Sequence, residues 1–268
     1  MHWLASIPSP DVNGFDIGPL TVNFYGIAIA LGVIAAIWLA TRRFEQRGGD
    51  PNTIERASII AVVVGILGAR TGYVITHADE MDGIFDALRI WDGGLAFFGG
   101  LLAGGVAMIW VMRRDGANIG DVADSVAPAI PLAQAIGRWG NYFNQELYGT
   151  PTDLPWALEI SEANRRGLPQ EYVQFETFHP TFLYESLLNL IVVGIILWVE
   201  KRFKPAPGSL FTVYLVLYGI VRFFMELLRT DQQDEFLGIR NNGWIALAVA
   251  IGGTVAYVVM QRRARSAA

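Results

Sequence analysis

Stretches of mostly apolar residues alternate with short polar segments along most of the chain. A helix needs about 20 mostly apolar residues to cross the hydrocarbon core of a bilayer, and each stretch approaches that length. The pattern predicts seven membrane-spanning helices, at residues 21–40, 54–76, 94–112, 119–136, 182–199, 210–228 and 244–260. The sequence therefore predicts an all-α polytopic membrane protein, organised as a single integral membrane domain over residues 1–268.

The fourth predicted span is the most polar of these helices. It contains two aspartates and two prolines, which are Asp121, Asp124, Pro128 and Pro131. Carboxylates that face lipid are costly, so this span is expected to face protein or a cavity.

The longest connection between predicted spans covers residues 138–181 and is rich in proline, glutamate and aromatic residues. Loops of this length inside compact proteins are usually functional or disordered. Apolar and polar residues alternate over residues 156–160, which predicts a short strand. We therefore expect a small ordered extramembrane unit, inserted between spans four and five.

Basic residues are concentrated in alternate connections and after the last span. They are Arg42, Arg43, Arg47 and Arg56, then Arg113 and Arg114, then Lys201, Arg202 and Lys204, and finally Arg262, Arg263 and Arg265. The other connections are acidic, with Asp79, Glu80, Asp82 and Asp86 in one and Asp231, Asp234 and Glu235 in another. The positive-inside rule then places the N-terminus outside and the C-terminus in the cytoplasm, which requires an odd number of spans. The 138–181 unit is accordingly expected on the outer side.

Composition narrows the functional classes. Hydrophobic residues make up 53% of the chain and charged residues only 17%, against roughly 25% charged residues in soluble domains. The isoelectric point near 5.2 and the lack of a basic stripe argue against nucleic acid as a partner. The chain has no cysteine, which excludes disulfides and a cysteine nucleophile in the protein itself. Its three histidines are dispersed and lack the spacing of a metal site.

A short polar segment follows the fourth span and reads G-R-W-G-N-Y-F-N-Q-E-L-Y-G over residues 137–149. It carries a guanidinium, two amides and a carboxylate, from Arg138, Asn141, Asn144 and Glu146. Such groups are costly at a membrane boundary unless something binds them, and a guanidinium matches the geometry of a phosphate. The segment therefore predicts a site for a lipid phosphate. The alternative is that Arg138 only reaches from a helix end to the membrane surface.

Further polar side chains are predicted within the spans. Tyr218, Arg222 and Glu226 recur at helical spacing and share one face of span six. They form either a functional site or a structural ion pair between Arg222 and Glu226. Arg70 in span two is a second intramembrane cation, which needs an anion such as Glu226, Glu146 or a phosphate.

Two other segments carry candidate side chains. Tyr25 opens span one, where it is either an aromatic residue of the membrane interface or part of a site. His179 and Glu185 flank the start of span five, and both are expected to point towards protein rather than lipid.

Together these motifs resemble the bacterial prolipoprotein diacylglyceryl transferases, and the resemblance covers nearly the whole chain. Residues 137–149 are similar to the family signature G-R-x-G-N-F/Y-x-N-x-E-x-W/Y-G, which is highly specific. The other matching segments are Tyr25-Gly26, residues 68–73, 179–181 and 183–185, and positions 218, 219, 222, 223 and 226. The resemblance implies transfer of the diacylglyceryl group of phosphatidylglycerol to the lipobox cysteine of a preprolipoprotein signal peptide, with release of glycerol phosphate. It implies no metal or organic cofactor, and a location in the bacterial cytoplasmic (inner) membrane.

The resemblance also implies two sets of site residues. The set expected to bind phosphatidylglycerol is Arg138, Asn141, Asn144, Glu146 and Gly149. The set expected to act in catalysis or electrostatics is Arg222, Glu226, Tyr25, Arg70, Tyr218 and His179. Arg138 would hold the lipid phosphate, and Arg222 would stabilise the departing phosphate while Glu226 fixes its side chain.

One position departs from the family pattern in a way that affects the chemistry. Many members have a histidine, proposed as the base for the substrate thiol, where this chain has Phe98. The candidates left for that role are Glu226, Glu146, Tyr25, His179 and water. Our hypothesis is that Arg138 and Arg222 instead lower the pKa of the thiol electrostatically. A second departure is Asn242-Gly243 before Trp244, where members often have a Gly-Gln pair.

Other interpretations of the same residues are a lipid transporter and an inactive relative that binds lipoprotein precursors. The chain has no internal repeat of the kind found in many transporters, which weighs against the first. Phe98, in place of the histidine of many members, keeps the second open. An intramembrane protease is disfavoured because no G-x-S-x-G motif occurs.

Overall fold

The computed structural model of the protein describes residues 6–18, 20–81, 83–89, 93–165, 168–230 and 235–266. This part of the chain is mostly helical. Its α-helices are α1 (Phe24–Gln46), α2 (Pro51–Thr76), α3 (Ile84–Leu88), α4 (Phe97–Arg114), α5 (Ile119–Val126), α6 (Ala129–Asn144), α7 (Thr181–Phe203), α8 (Ser209–Glu226) and α9 (Asn241–Ser266). Asp82, Asp231 and Asp234, which contributed to the charge pattern, lie outside the described residues, as do the side chains of Glu80 and Glu235.

Five of these helices are long and apolar enough to cross a membrane within the described part of the chain, namely α1, α2, α7, α8 and α9. The protein is therefore a mostly helical, multi-pass membrane protein. The count of seven spans stays a prediction.

The prediction of one continuous helix over residues 119–136 was wrong. Helix α5 ends at Val126 and α6 begins at Ala129, with a turn between them. Pro128 explains the break, because proline lacks the N–H that a continuous helix needs and disfavours helical geometry in the residue before it. The expected inward orientation is confirmed for Asp124, whose exposed fraction is 2% and whose carboxylate lies 3.6 Å from Arg47 Nη1.

Short antiparallel strand pairs lie outside the long helices. They are β1 (Gly14–Ile17) with β2 (Leu20–Asn23), β3 (Leu158–Glu159) with β4 (Thr177–Phe178), and β5 (Glu235–Phe236) with β6 (Ile239–Arg240). Strand β3 confirms the short strand predicted within residues 156–160. It packs on a buried cluster of Tyr148, Leu158, Ile160, Phe178 and Phe182, which orders the connection between α6 and α7.

Two compact units make up the described chain, one from residues 1–39 and 126–268 and the other from residues 40–125. In the first, α6 packs on α7, α7 on α8 and α8 on α9. In the second, α2 packs closely on α4 at two glycines. A Cβ added at Gly68 would lie 2.7 Å from the carbonyl oxygen of Gly99, so larger residues would separate these helices.

Candidate active site

Arg138 is held by two side chains of the first unit. Helix α6 continues through Asn144, so the predicted 138–181 connection begins inside a helix and Arg138 projects from an ordered backbone. Its Nη1 donates to Asn141 Oδ1 at 3.3 Å, and its Nη2 forms an ion pair with the carboxylate of Glu185 on α7. Glu185 has an exposed fraction of only 4%, which confirms that it faces protein. Arg138 is therefore oriented from two sides rather than extended freely into solvent.

The chain reverses direction directly after α6 and returns Glu146 to that helix. Gln145 and Leu147 adopt the left-handed conformation, with φ of 50° and 58°. This conformation is uncommon for residues other than glycine. Glu146 Oε1 consequently accepts a hydrogen bond from Asn141 Nδ2 at 2.7 Å. Asn141, with an exposed fraction of 6%, thus connects Arg138 on one side with Glu146 on the other.

A second arginine–carboxylate group lies at the C-terminal end of α8. Arg222 Nη2 is 2.8 Å from Glu226 Oε2, as the i, i+4 spacing predicted. Arg240 Nη1 from β6 lies 3.3 Å from the other carboxylate oxygen. Glu226 has an exposed fraction of 2%, so its charge is compensated inside the protein. Arg222 Nη1 is also buried and has no hydrogen-bond partner in the described part of the chain.

Positive charge converges where these groups meet. Arg222 and Arg229 lie close enough to Arg138 to interact with it electrostatically. Tyr218 of α8 does so as well. The ring of Tyr218 packs 5.8 Å from that of Tyr214, centroid to centroid. Like charges repel, and an anion bound among them would offset that repulsion. The cluster of Arg138, Arg222 and Arg229, called the arginine cluster below, is accordingly a candidate anion site.

Gly149 lies where three segments cross. Its N–H donates to the carbonyl of His179 at 3.0 Å, and the next N–H, of Thr150, donates to that of Leu228 at 2.8 Å. A Cβ at Gly149 would lie 2.8 Å from His179 Cβ and 2.9 Å from the Leu228 oxygen. Gly149 therefore ties the end of the signature segment to the residues before α7 and after α8, and its contribution is close backbone approach.

His179 is engaged by its neighbours. Its Nδ1 lies 3.1 Å from the hydroxyl of Tyr184, which accepts a hydrogen bond from Trp156 Nε1 at 2.9 Å. Burial lowers the pKa of the His179 imidazole, because desolvation disfavours its charged form. A neutral ring that accepts the Tyr184 proton at Nδ1 fits both observations.

Tyr25 joins the site through contact between α1 and α6. A Cβ at Gly140 would lie 3.1 Å from Tyr25 Cα and 2.6 Å from its ring, so the second glycine of the signature admits this side chain. Tyr25 lies near enough to Glu146 and Arg138 for electrostatic interaction with both.

The first two glycines of the signature segment, Gly137 and Gly140, are expected to respond differently to alanine. Gly140→Ala overpacks the Tyr25 contact and should destabilise the protein by about 1–3 kcal/mol. Gly137→Ala is the matched control, because its Cβ would meet only the flexible end of Ile29, at 3.4 Å. Thermal unfolding in detergent measures both; equal melting temperatures would show that the close α1–α6 contact is not formed.

The remaining candidate positions are Asn144, Arg70 and Phe98. Asn144 is the last residue of α6 and is half-buried, with no side-chain hydrogen bond to the described residues. Arg70 belongs to the second unit, where it donates to the carbonyls of Asp86, Gly93 (2.8 Å) and Gly94 (3.1 Å). The guanidinium is thus engaged by backbone oxygens of its own unit, and its electrostatic role stays a prediction. Phe98, near the start of α4, has an exposed fraction of 74%.

Sequence reasoning did not identify Arg240 and did not pair Glu185 with Arg138. Each residue belongs to a different secondary-structure element from its partner, and nothing in its local sequence indicates which charge it meets. The only signal for Arg240 was a basic residue at the start of an apolar helix.

An apolar cavity of about 530 Å³ opens between α1, α6 and α7. Its walls include Ala28 and Leu31 of α1, Ala135 and Trp139 of α6, and Ser186 and Leu190 of α7. The Ser186 hydroxyl donates to the carbonyl of Ala135 at 2.9 Å, so it presents no unsatisfied polar group to the cavity. Ala135 lies three residues before Arg138 on α6 and shares its side of the helix, so this wall of the cavity leads towards Arg138.

Comparison with known proteins agrees with these motifs. The family model for prolipoprotein diacylglyceryl transferase matches residues 13–259. The chain is 44% identical over 264 residues to phosphatidylglycerol–prolipoprotein diacylglyceryl transferase 2 of Streptomyces coelicolor, covering 97% of this chain and 82% of that one. It is 43% identical over 262 residues to the corresponding transferase of Cutibacterium acnes, covering 96% and 88%. It is 40% identical over 276 residues to that of Bifidobacterium adolescentis, covering 98% and 82%.

Proposed function

Because this chain belongs to the prolipoprotein diacylglyceryl transferase family, we propose that it transfers the diacylglyceryl group of phosphatidylglycerol to the lipobox cysteine of a preprolipoprotein. The family makes it a transferase of lipoprotein biosynthesis. The proposal specifies which of its residues bind the lipid and which act on the departing phosphate.

The observation that carries the proposal is the arginine cluster beside an apolar cavity. Phosphatidylglycerol combines one phosphate with two acyl chains and therefore needs both kinds of surface. We assign the phosphate to Arg138 and Arg222, whose guanidiniums can form paired hydrogen bonds to its oxygens. One acyl chain is assigned to the cavity, since Ala135 in its wall lies one helical turn before Arg138 on α6. Asn141, Asn144 and Glu146 are assigned to orienting the headgroup glycerol, with Glu146 acting through its hydrogen bond to Asn141.

The chemistry required of the site is a displacement at carbon. The cysteine thiol loses its proton, because the thiolate is the nucleophile. The sulfur attacks the carbon of the diacylglyceryl group that is bonded to a phosphate oxygen. A C–S bond forms at this carbon, and its C–O bond to the phosphate breaks. Its electron pair leaves on glycerol phosphate, so the balance needs no further reactant. Arginines fixed before the reaction stabilise the charge that grows on the departing oxygen.

The thiol proton needs an acceptor, and three of the candidate bases already have other partners. Glu226 faces two arginines, Glu146 accepts from Asn141, and His179 faces Tyr184. A group held in an ion pair or hydrogen bond must leave that partner before it can accept the thiol proton. We therefore retain the electrostatic route, in which the arginine cluster lowers the pKa of the substrate thiol from about 8.5 and the proton leaves to water.

A histidine at position 98 is expected to change the rate only slightly. General-base catalysis supplies about 10²–10⁴-fold, so a missing base would reveal itself as a gain of that size in Phe98→His near neutral pH. Initial rates of the wild type and of Phe98→His, each across a pH series, measure this. Phe98→Gln serves as the control for a polar side chain that cannot act as a base. A large gain confined to the histidine variant would rule out the electrostatic route.

The location of the site is part of the proposal. The charge pattern supports seven spans, with the N-terminus outside and the C-terminus in the cytoplasm. Membership of the family supports the bacterial cytoplasmic membrane as the location. The arginine cluster and the ordered connection between α6 and α7 then lie on the outer side. A translocated preprolipoprotein meets outer-leaflet lipid there. Cysteine-accessibility labelling at introduced positions on either side of α7 tests this orientation.

The function itself is tested with purified protein, phosphatidylglycerol and a synthetic lipobox peptide. We expect the peptide cysteine to gain the mass of one diacylglyceryl group, with equal release of glycerol phosphate. A peptide with the cysteine replaced by serine is the control and should stay unmodified. A protein that binds the peptide without a mass gain would be a binding-only relative. Lipid that moves between leaflets without product would indicate a transporter.

A further inference from the structure

The carboxylate of Glu226 lies between two guanidiniums that come from different elements. Arg222 approaches Oε2 at 2.8 Å from within α8, and Arg240 approaches Oε1 at 3.3 Å from β6. Neither oxygen accepts a well-aligned hydrogen bond within the described part of the chain, so the attraction is mainly electrostatic. Glu226 has an exposed fraction of 2%, so water screens these charges little.

The charge balance of this group depends on Arg240. Within the described residues, the single carboxylate of Glu226 is shared by the guanidiniums of Arg222 and Arg240. Without Arg240, Arg222 and Glu226 would neutralise each other as an ordinary i, i+4 pair. A buried guanidinium that shares its carboxylate is compensated less than one that has it alone, so Arg222 favours an additional anion.

Arg222 has the donor that such an anion requires. Its Nη2 faces Glu226, while its Nη1 is buried without a hydrogen-bond partner among the described residues. An unsatisfied buried donor is costly to maintain, and a phosphate oxygen would satisfy it.

Arg240 is fixed in place by backbone groups at the end of α8. Its Nη1 lies 3.3 Å from the carbonyl oxygen of Glu226 and 3.1 Å from that of Arg229. These contacts tie the β5–β6 turn to the helix that carries Arg222. They also place a permanent cation beside Glu226, because arginine does not lose its proton in proteins.

We propose that Arg240 is a positioning residue that shares Glu226 with Arg222 and thereby keeps Arg222 available to bind the phosphate of the donor lipid. This inference rests on the proposed function, because it assigns a phosphate to Arg222. The proposal also assigns a role to β6, the strand just before Asn242-Gly243. Asn242-Gly243 is the pair that departs from the family pattern.

Charge-balance variants test the proposal in the transferase assay. Arg240→Gln should lower kcat/KM for phosphatidylglycerol by about 10–100-fold, the loss associated with a charge-assisted contact. The KM for the lipobox peptide should not change. The double variant Arg240→Gln with Glu226→Gln restores the net charge of the group and should recover at least part of that loss. Arg240→Lys keeps the charge but not the fork geometry, and should retain more activity than Arg240→Gln.

A binding readout separates this role from a structural one. Glycerol phosphate should inhibit the wild type competitively with phosphatidylglycerol, and its inhibition constant should rise in Arg240→Gln and fall again in the double variant. A double variant no better than Arg240→Gln, with the same melting temperature, would overturn the proposal and leave Arg240 as a structural tie. A wild type that makes no product would instead defeat the proposed function.

Discussion

Arg138→Lys is expected to lose almost as much activity as Arg138→Ala, by at least about 100-fold in kcat/KM for phosphatidylglycerol. Lysine keeps the positive charge, but it cannot bind two phosphate oxygens at once in a planar geometry. It also cannot meet Asn141 and Glu185 simultaneously with the same fixed spacing. The guanidinium in this structure forms both of those contacts, which leaves its orientation determined before any lipid binds.

The measurement is the initial rate of peptide modification at varied phosphatidylglycerol, with the peptide in excess. Arg202→Lys is the matched control, because Arg202 is an exposed residue near the end of α7. It should behave as the wild type. A lysine variant with substantial activity would show that Arg138 acts as a simple point charge, and the bidentate assignment would then be wrong.

The prediction from sequence succeeded where the pattern was local. Helix α1 and helices α7 to α9 follow from long apolar runs, and the Arg222–Glu226 pair follows from i, i+4 spacing on one helix. The signature segment likewise puts Arg138 and Asn141 three residues apart on one helix, where their side chains are in contact. In each case the residues that must act together are neighbours in the chain or on one helix face.

The parts that sequence did not predict depend on contacts between distant elements. Arg138 of α6 pairs with Glu185 of α7, and Arg240 of β6 pairs with Glu226 of α8. Pro128 is a residue type that breaks helices, but the apolar run around it favoured one continuous span. Left-handed geometry at Gln145 and Leu147, which positions Glu146, is unusual for these residue types and has no signal in the sequence.

Asn141→Asp is expected to lower activity by about 100-fold, although the side chain hardly changes in size. The new carboxylate replaces an amide that donates to Glu146 at 2.7 Å. Two carboxylates at that distance repel strongly in a partly buried site. The added negative charge also neutralises Arg138, which Asn141 contacts at 3.3 Å. The site would therefore bind the lipid phosphate poorly.

Asn118→Asp is the matched control for the same chemical change. Asn118 Oδ1 accepts the N–H of Gly120 at 2.9 Å before α5, and aspartate performs that capping role equally well. Kinetics of this variant should match those of the wild type. Equal losses in the two variants would indicate a general effect of added negative charge rather than the specific Arg138–Asn141–Glu146 arrangement.

The second substitution Glu146→Gln is expected to restore at least about tenfold of the activity lost in Asn141→Asp. A glutamine at 146 donates to the new aspartate, so the hydrogen bond is re-formed with its direction reversed. The formal charge around Arg138 also returns to its original value. Recovery would mean that Glu146 acts through Asn141 to orient Arg138. If Glu146→Gln alone is as inactive as the Asn141→Asp variant, and the double variant recovers nothing, Glu146 must itself contact the substrate, and the assignment of Asn141 as the link between them would be wrong.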